Sequence, residues 1–164
     1  MKFTVEWENE KIDCEWFDSL DLGELERVKQ VSAYIFDKEG KICLIHLKNK
    51  GYWTLPGGSP EKGETYKETL VREIEEEADL SIKNLLPIGY LKNTPRSFPD
   101  RYFHQLRFIA MVDEIKPQTK DPANDIIPIR EFVNREKFLE YLKWDGTAEQ
   151  LDKAIKIFKN SKRE

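Results

Sequence analysis

Between Gly58 and Leu80 the chain reads GSPEKGETYKETLVREIEEEADL, and this stretch constrains both fold and chemistry more than any other. The run from Thr65 to about Ala78 has the spacing of one amphipathic helix, at about 100° per residue. With Glu73 set at zero on the helical wheel, Glu76 falls at about −60° and Glu77 at about +40°, whereas Leu70, Ile74, Ala78 and Val71 fall between about 60° and 160°. One face is acidic and the adjacent one apolar. Glu68 and Glu75 project to about 220° and 200°, away from the acidic cluster. Glu75 therefore reads as solvated surface. Glu68 reads as the partner of Thr65 in a capping box, which places the helix start.

Such an acidic face is locally unfavourable. Like charges three and four residues apart repel by roughly 0.2 to 0.5 kcal/mol per pair, and these lie in the last third of the helix, where the macrodipole favours cations. A bound cation reverses the sign of both effects. Hard oxygen ligands grouped in this way suit magnesium or manganese, which take one or two carboxylates directly and share the rest of their shell between water and substrate phosphate. Against the plainer reading of a solvated acidic helix face, Glu68 and Glu75 serve as an internal comparison.

Taken in order, the stretch runs Gly58, five residues, Glu64, seven residues, Arg72-Glu73, the aliphatic Ile74, one residue, Glu76-Glu77, one residue, and Asp79-Leu80. This order resembles the signature box of the Nudix hydrolases. The resemblance implies an α/β fold, an α/β/α sandwich on a mixed β-sheet with the box helix on one side. It also implies hydrolysis of a nucleoside diphosphate joined to another group, with Mg2+ or Mn2+ as cofactor. Carried over residue by residue, it assigns metal ligation to Glu73, Glu76, Glu77 and the backbone carbonyl of Gly57. Glu64 and Arg72 become an ion pair across the loop that holds the carboxylate helix in place. The general base is either one of the helix glutamates or an acid on the loop before the last strand, where Asp125 sits, with Glu131 and Glu114 behind it.

One position departs from the family pattern. Asp79 stands where the family has glycine, which supplies a left-handed helix cap. Aspartate is among the few other residues that visit that region, and at about 120° from Glu73 it lies off the ligand face. The expectation is a tolerated cap, so that Asp79→Gly should gain about 0.5 to 1 kcal/mol of stability.

The remaining chain fits one cytoplasmic domain over residues 1–164, with residues 1–30 as an N-terminal hairpin extension and connector. A composition of 39% hydrophobic and 35% charged residues is globular rather than disordered. No apolar run approaches a membrane span, and the first residues alternate like a strand and lack the apolar core of a signal peptide. Cys14 and Cys43 have neither metal spacing nor a disulfide framework, and read as small core residues in a reducing compartment. A net charge of −4 argues against bulk binding to nucleic acid or an anionic membrane, but not against a nucleotide arriving with metal. A homodimer is compatible with all of this.

Alternation predicts strands at Phe3 to Trp7 and Ile12 to Trp16, and Val31 to Phe36 and Ile42 to Leu47 are strand-like around Lys38-Glu39-Gly40, a second hairpin signal. Asp18 to Gln30 is a charged connector. Tyr52 to Gly58 is an extended approach to the box, where Gly57-Gly58 allows close backbone contact. Strands follow at Leu86 to Leu91, Tyr102 to Val112 and, at a sheet edge because of Pro128, Ile126 to Val133. Helices are predicted at Arg135 to Trp144 and Thr147 to Lys159, separated by Asp145-Gly146.

For substrate contacts, Arg96, Arg101, His104 and Arg107 cluster around Phe98, Tyr102 and Phe103, and cations beside aromatic rings suit phosphate and base. On a strand only alternate members face a cleft. His104 also has a reading as a structural histidine. Pro95, fifteen residues past Leu80, resembles a marker of the ADP-ribose branch of the family. The leaving group stays open between a sugar phosphate, a second phosphate and another nucleotide. A catalytically inactive Nudix-fold module that binds a nucleotide, and a protein-interaction domain without ligand, are the other readings. The complete set of box glutamates speaks against the first of these.

Overall fold

The structure, a computed structural model, describes residues 1–19, 21–23 and 25–163, so Leu20 and Glu24 of the expected connector lie outside the described residues. Strands β1 (Lys2–Trp7) and β2 (Glu10–Phe17) form the N-terminal hairpin. Glu8 and Asn9 turn it with φ of 49° and 65°, the left-handed pair that matches the twist of a tight hairpin. There follow β3 (Val28–Phe36), β4 (Ile42–Leu47), β5 (Tyr52–Thr54), β6 (Gly57–Gly58), α1 (Tyr66–Ala78), β7 (Leu80–Pro95), β8 (Phe103–Ile115), β9 (Ile129–Val133), α2 (Arg135–Tyr141) and α3 (Thr147–Ser161).

The strands run β1-β2-β7-β8-β3-β4-β5 across one sheet, with β6 added to β3 and β9 to β4. β3 and β8 are parallel and the other pairs antiparallel, so the sheet is mixed as expected. Alternation along β3 divides the core in two. Val31, Ala33 and Ile35 pack with Leu70, Ile74 and Ala78 of α1, whereas Tyr34 and Phe36 pack with Phe138, Leu151, Ala154 and Phe158 of α2 and α3. A strand covered on both faces reads as a near-continuous apolar run, which Val31 to Phe36 does. The result is the α/β/α sandwich, with α1 alone on one side. Cys14 and Cys43 are buried free thiols. No helix among the described residues is long and apolar enough to cross a membrane.

α1 starts as read from the chain. Thr65 accepts from the Glu68 N–H and the Glu68 carboxylate accepts from the Thr65 N–H, at 3.2 and 2.9 Å. Leu70, Ile74 and Ala78 are buried, but Val71 is 47% exposed, a correction to its place on the apolar face. Its position at the far edge of the apolar arc carries it beyond the sheet, and Thr69 is buried instead. β7 exceeds its predicted length at both ends and β8 at its C-terminal end, because pairing with each other continues where side-chain alternation has faded.

Asp79 caps α1 in the left-handed region, with φ 49° and ψ 46°, as the missing glycine implies. Its side chain departs from the expectation of a merely tolerated cap. Asp79 is only 7% exposed, and its carboxylate accepts from the Thr119 N–H at 2.7 Å and the Thr119 hydroxyl at 2.8 Å. The segment after β8 folds back over the helix end: Lys116 N–H donates to the Asp79 carbonyl at 2.9 Å, and Arg130 Nη1 donates to the carbonyls of Ala78 and Lys116 at 2.6 and 3.1 Å. Hydrogen bonds to a charged group contribute about 1.5 to 3 kcal/mol each, more than the about 0.5 to 1 kcal/mol that glycine gains from easier backbone geometry. Asp79→Gly is therefore expected to lower stability by about 1 to 3 kcal/mol, read as an earlier urea midpoint. An unchanged or later midpoint would mean that the Thr119 bonds add nothing net.

Candidate active site

Two glycines allow the acidic face of α1 to lie against the sheet. A Cβ on Gly58 would stand 2.2 Å from Glu73 Cδ, and one on Gly57 would stand 2.1 Å from the Val31 carbonyl oxygen. The clash at Gly57 is with backbone and confines that position to glycine, whereas a larger residue at Gly58 would displace the carboxyl end of Glu73. Gly57 then donates its N–H to Glu77 Oε2 at 3.1 Å.

Arg72 organises the carboxylates around it. Its Nε and Nη2 bind the two oxygens of Glu64 at 2.9 Å each, the bidentate fork that fixes guanidinium and carboxylate in one plane. Nη1 reaches Glu73 at 2.8 Å and stands 3.5 Å from Glu76, while Nη2 also donates to the Ser59 carbonyl at 3.3 Å. Thus Glu64, Arg72, Glu73 and Glu76 form one network spanning the loop and the helix.

The charges feel these surroundings unequally. The Arg72 fork holds the Glu64 carboxyl down at about 2. Glu77 is pushed up to about 8, first by burial and then by the charges of Glu73 and Asp121, against the lowering effect of the Gly57 N–H. Glu73 is also raised, chiefly by burial, with Arg72 opposing and Glu76 and Asp121 adding to the rise. Arg72 offsets the desolvation of Glu73 only in part, and among the described residues no arginine or lysine bonds to Glu77.

Glu73, Glu76, Glu77 and the neighbouring backbone carbonyls offer only oxygen, the donor set of a hard divalent cation. Among the described residues, no three acidic, histidine or cysteine side chains converge on one ion position as they stand. Glu73 leans on Arg72 and Glu77 on the Gly57 N–H. The fit lies in the donors and in their shared unfavourable charge.

Asp125 is turned to solvent, its carboxylate 3.3 Å from Lys120 Nζ. Asp121 is the buried acid of this loop, 4% exposed, and it is the one whose charge reaches Glu73 and Glu77. Its Oδ1 accepts from the Ala123 N–H at 2.8 Å, an Asx turn, and Asp-Pro at a loop start was the available signal for it. Arg130, which caps the helix end, had no local signal. Glu131 accepts from the Tyr141 hydroxyl at 3.0 Å, and Glu114 lies exposed at the end of β8.

The four basic residues beyond the box are not brought together. Arg96 binds Asp13 through Nε at 2.9 and 3.0 Å and Thr4 through Nη2 at 3.2 Å, on the N-terminal hairpin. Arg101 lies over the Phe98 ring at 4.6 Å. His104 is buried between Tyr90 and Tyr102, with Nδ1 2.6 Å from the Glu26 carbonyl oxygen. Arg107 alone enters a cavity, of about 330 Å³, beside Ser32, the residue paired with Gly57.

An ADP-ribose pyrophosphatase from Methanocaldococcus jannaschii is 34% identical over 126 residues, which is 67% of this chain and 70% of that protein. The Bacillus subtilis pyrophosphohydrolase BsRppH superposes with a TM-score of 0.68 over 97% of both chains, at 17% identity. A Caenorhabditis elegans Ap4A hydrolase complex does so with a TM-score of 0.61 over 81% of this chain and 98% of that one, also at 17% identity. Those two likenesses are of fold. The NUDIX domain matches residues 26–154, and with the mixed sandwich and the acidic helix against Gly57-Gly58 it establishes that this chain belongs to the Nudix family of hydrolases.

Proposed function

We propose that this Nudix hydrolase cleaves a nucleoside diphosphate linked to another moiety, of the nucleoside triphosphate, nucleotide sugar or ADP-ribose type, with Mg2+ or Mn2+. The observation that carries the reading is the half-buried, mutually repelling pair Glu73 and Glu77 against the glycine strand. The residues that would hold the cation are Glu73, Glu76, Glu77 and the Gly57 carbonyl. When bound, a divalent ion neutralises phosphate charge and lowers the pKa of a water molecule. Arg72, clamped by Glu64, orients Glu73 and Glu76. Asp121, the buried acid of that loop, takes the place given to Asp125 in the sequence reading as the candidate loop acid. The M. jannaschii relative's activity, and Pro95 at the end of β7, support including ADP-ribose among the substrates tested.

The test compares two glutamates two residues apart on the same helix. Glu77→Gln is expected to lower metal-dependent hydrolysis by at least about a hundredfold, the loss of about 2.7 kcal/mol of transition-state interaction. Glu75→Gln, which loses only a solvent-exposed pair with Lys116, should stay within a few fold of wild type. Equal activities would remove the assignment. Nucleotide binding without turnover in the wild type would mark a regulatory module instead.

A second expectation concerns the metal-free protein. The Glu77 carboxyl titrates near 8 when folded, above its ordinary 4.5, so folding favours its protonated form. The stabilisation from that group is complete below the ordinary value and is lost as pH rises through the folded value. The melting temperature should therefore fall between about pH 5 and about pH 8.5. Glu77→Gln should flatten the fall, and added Mg2+ or Mn2+ should reverse it in the wild type. A melting curve as pH-dependent in Glu77→Gln as in wild type would locate the effect elsewhere.

A further inference from the structure

Arg107 is a buried cation without an anion. It is 5% exposed and lies on β8 beside Ser32. Of its five N–H groups, Nη1 meets the Leu106 carbonyl and Nη2 the Gln105 side-chain oxygen, both at 3.2 Å, and Nε has no partner at all. No carboxylate neutralises it among the described residues. An uncompensated buried charge is strongly unfavourable, and its retention calls for a partner that the chain itself does not supply.

The cavity it enters indicates the partner. Trp7, Tyr52, Trp53, Tyr141 and Trp144 line its walls, and Gln30 and Ser32 are the polar residues near Arg107. Trp53 and Tyr141 stack at 4.4 Å, while Trp7 and Tyr52 remain exposed. At about 330 Å³ the cavity is at the small end of ligand sites, sized for one ring system rather than a whole dinucleotide. Aromatic walls suit a flat base and give a phosphate nothing to bind. A guanidinium fork matches adjacent acceptors, as on the O6/N7 edge of guanine or hypoxanthine, whereas adenine sets its N6 amine, a donor, against it. Gly57 and Arg107 flank Ser32 in the sheet, two strand spacings or about 10 Å apart, with Arg107 on the face turned away from α1.

We infer that Arg107 and this aromatic cavity select a 6-oxopurine base, so that guanine- or hypoxanthine-bearing nucleotides are preferred over adenine-bearing ones. The inference rests on the neighbouring glutamates being the hydrolytic site, yet it can be tested without hydrolysis. Trp7, Trp53 and Trp144 line the cavity, so tryptophan fluorescence of the metal-free protein reports occupancy. GMP and IMP should quench it with dissociation constants at least about tenfold below that of AMP, and inorganic phosphate should not compete with an Arg107 dependence of its own. Arg107→Met should erase the preference while melting at or above wild type, since a buried unpaired charge has gone. Arg107→Lys, a point charge without the fork, should keep only part of it. Equal binding of AMP and GMP to the wild type would overturn the inference, as would phosphate competition that disappears in Arg107→Met. A large drop in the melting temperature of Arg107→Met would make the guanidinium a structural group instead. Absence of hydrolysis with base preference intact would count against the glutamate assignment alone.

Discussion

The carboxylates of α1 repel one another, and Arg72 is the cation that opposes this from within the same helix. It draws Glu64 from the loop, and Glu73 and Glu76 from the helix, onto one planar group. The fork to Glu64 gives direction as well as charge, because both oxygens must lie in the guanidinium plane. The acidic face is thereby ordered without being neutralised. Glu77, out of reach of Arg72 and held only by a backbone N–H, keeps the most perturbed titration of the group.

The other end of α1 has a complementary arrangement. Its last turn carries no basic residue, and the carbonyls there would favour a cation. Arg130 supplies one from β9, and Asp79 supplies the anchor for the returning loop. The left-handed cap and the acidic side chain are two demands on one position, and aspartate meets both: its backbone tolerates the conformation, and its carboxylate binds Thr119. Glycine would satisfy only the first. The same loop carries Asp121, so the residue that departs from the family pattern also fixes the chain that brings a further acid towards Glu73 and Glu77.

What was legible in the chain was local or periodic. The capping box of Thr65 and Glu68, the N-terminal hairpin, and the strands at Val31 to Phe36 and Ile42 to Leu47 each follow from residues a few positions apart. Which glutamates share a face follows from the helical period. Partners distant in the chain were not legible. Arg96 looked like a phosphate ligand until Asp13, 83 residues away, took its guanidinium. Asp125 and Asp121 are alike in composition, and only the Asx turn at Asp121 decides which is buried. Val71 lay within the apolar arc by angle, but the width of the sheet beneath it is a tertiary fact.

The cap on α1 has a consequence for the order in which the molecule is made. Thr119 and Arg130 reach the helix end from 40 and 52 residues further along. Contacts over such separations form after local ones, because the intervening chain must first be ordered. The first turn of α1 can close as soon as Thr65 and Glu68 exist. The last turn, with Glu76 and Glu77, reaches its final form only when β8, the loop and β9 have been synthesised and docked. The acidic wall is therefore a late product of folding, and a nascent chain that ends before Arg130 carries its glutamates without the framework that concentrates them.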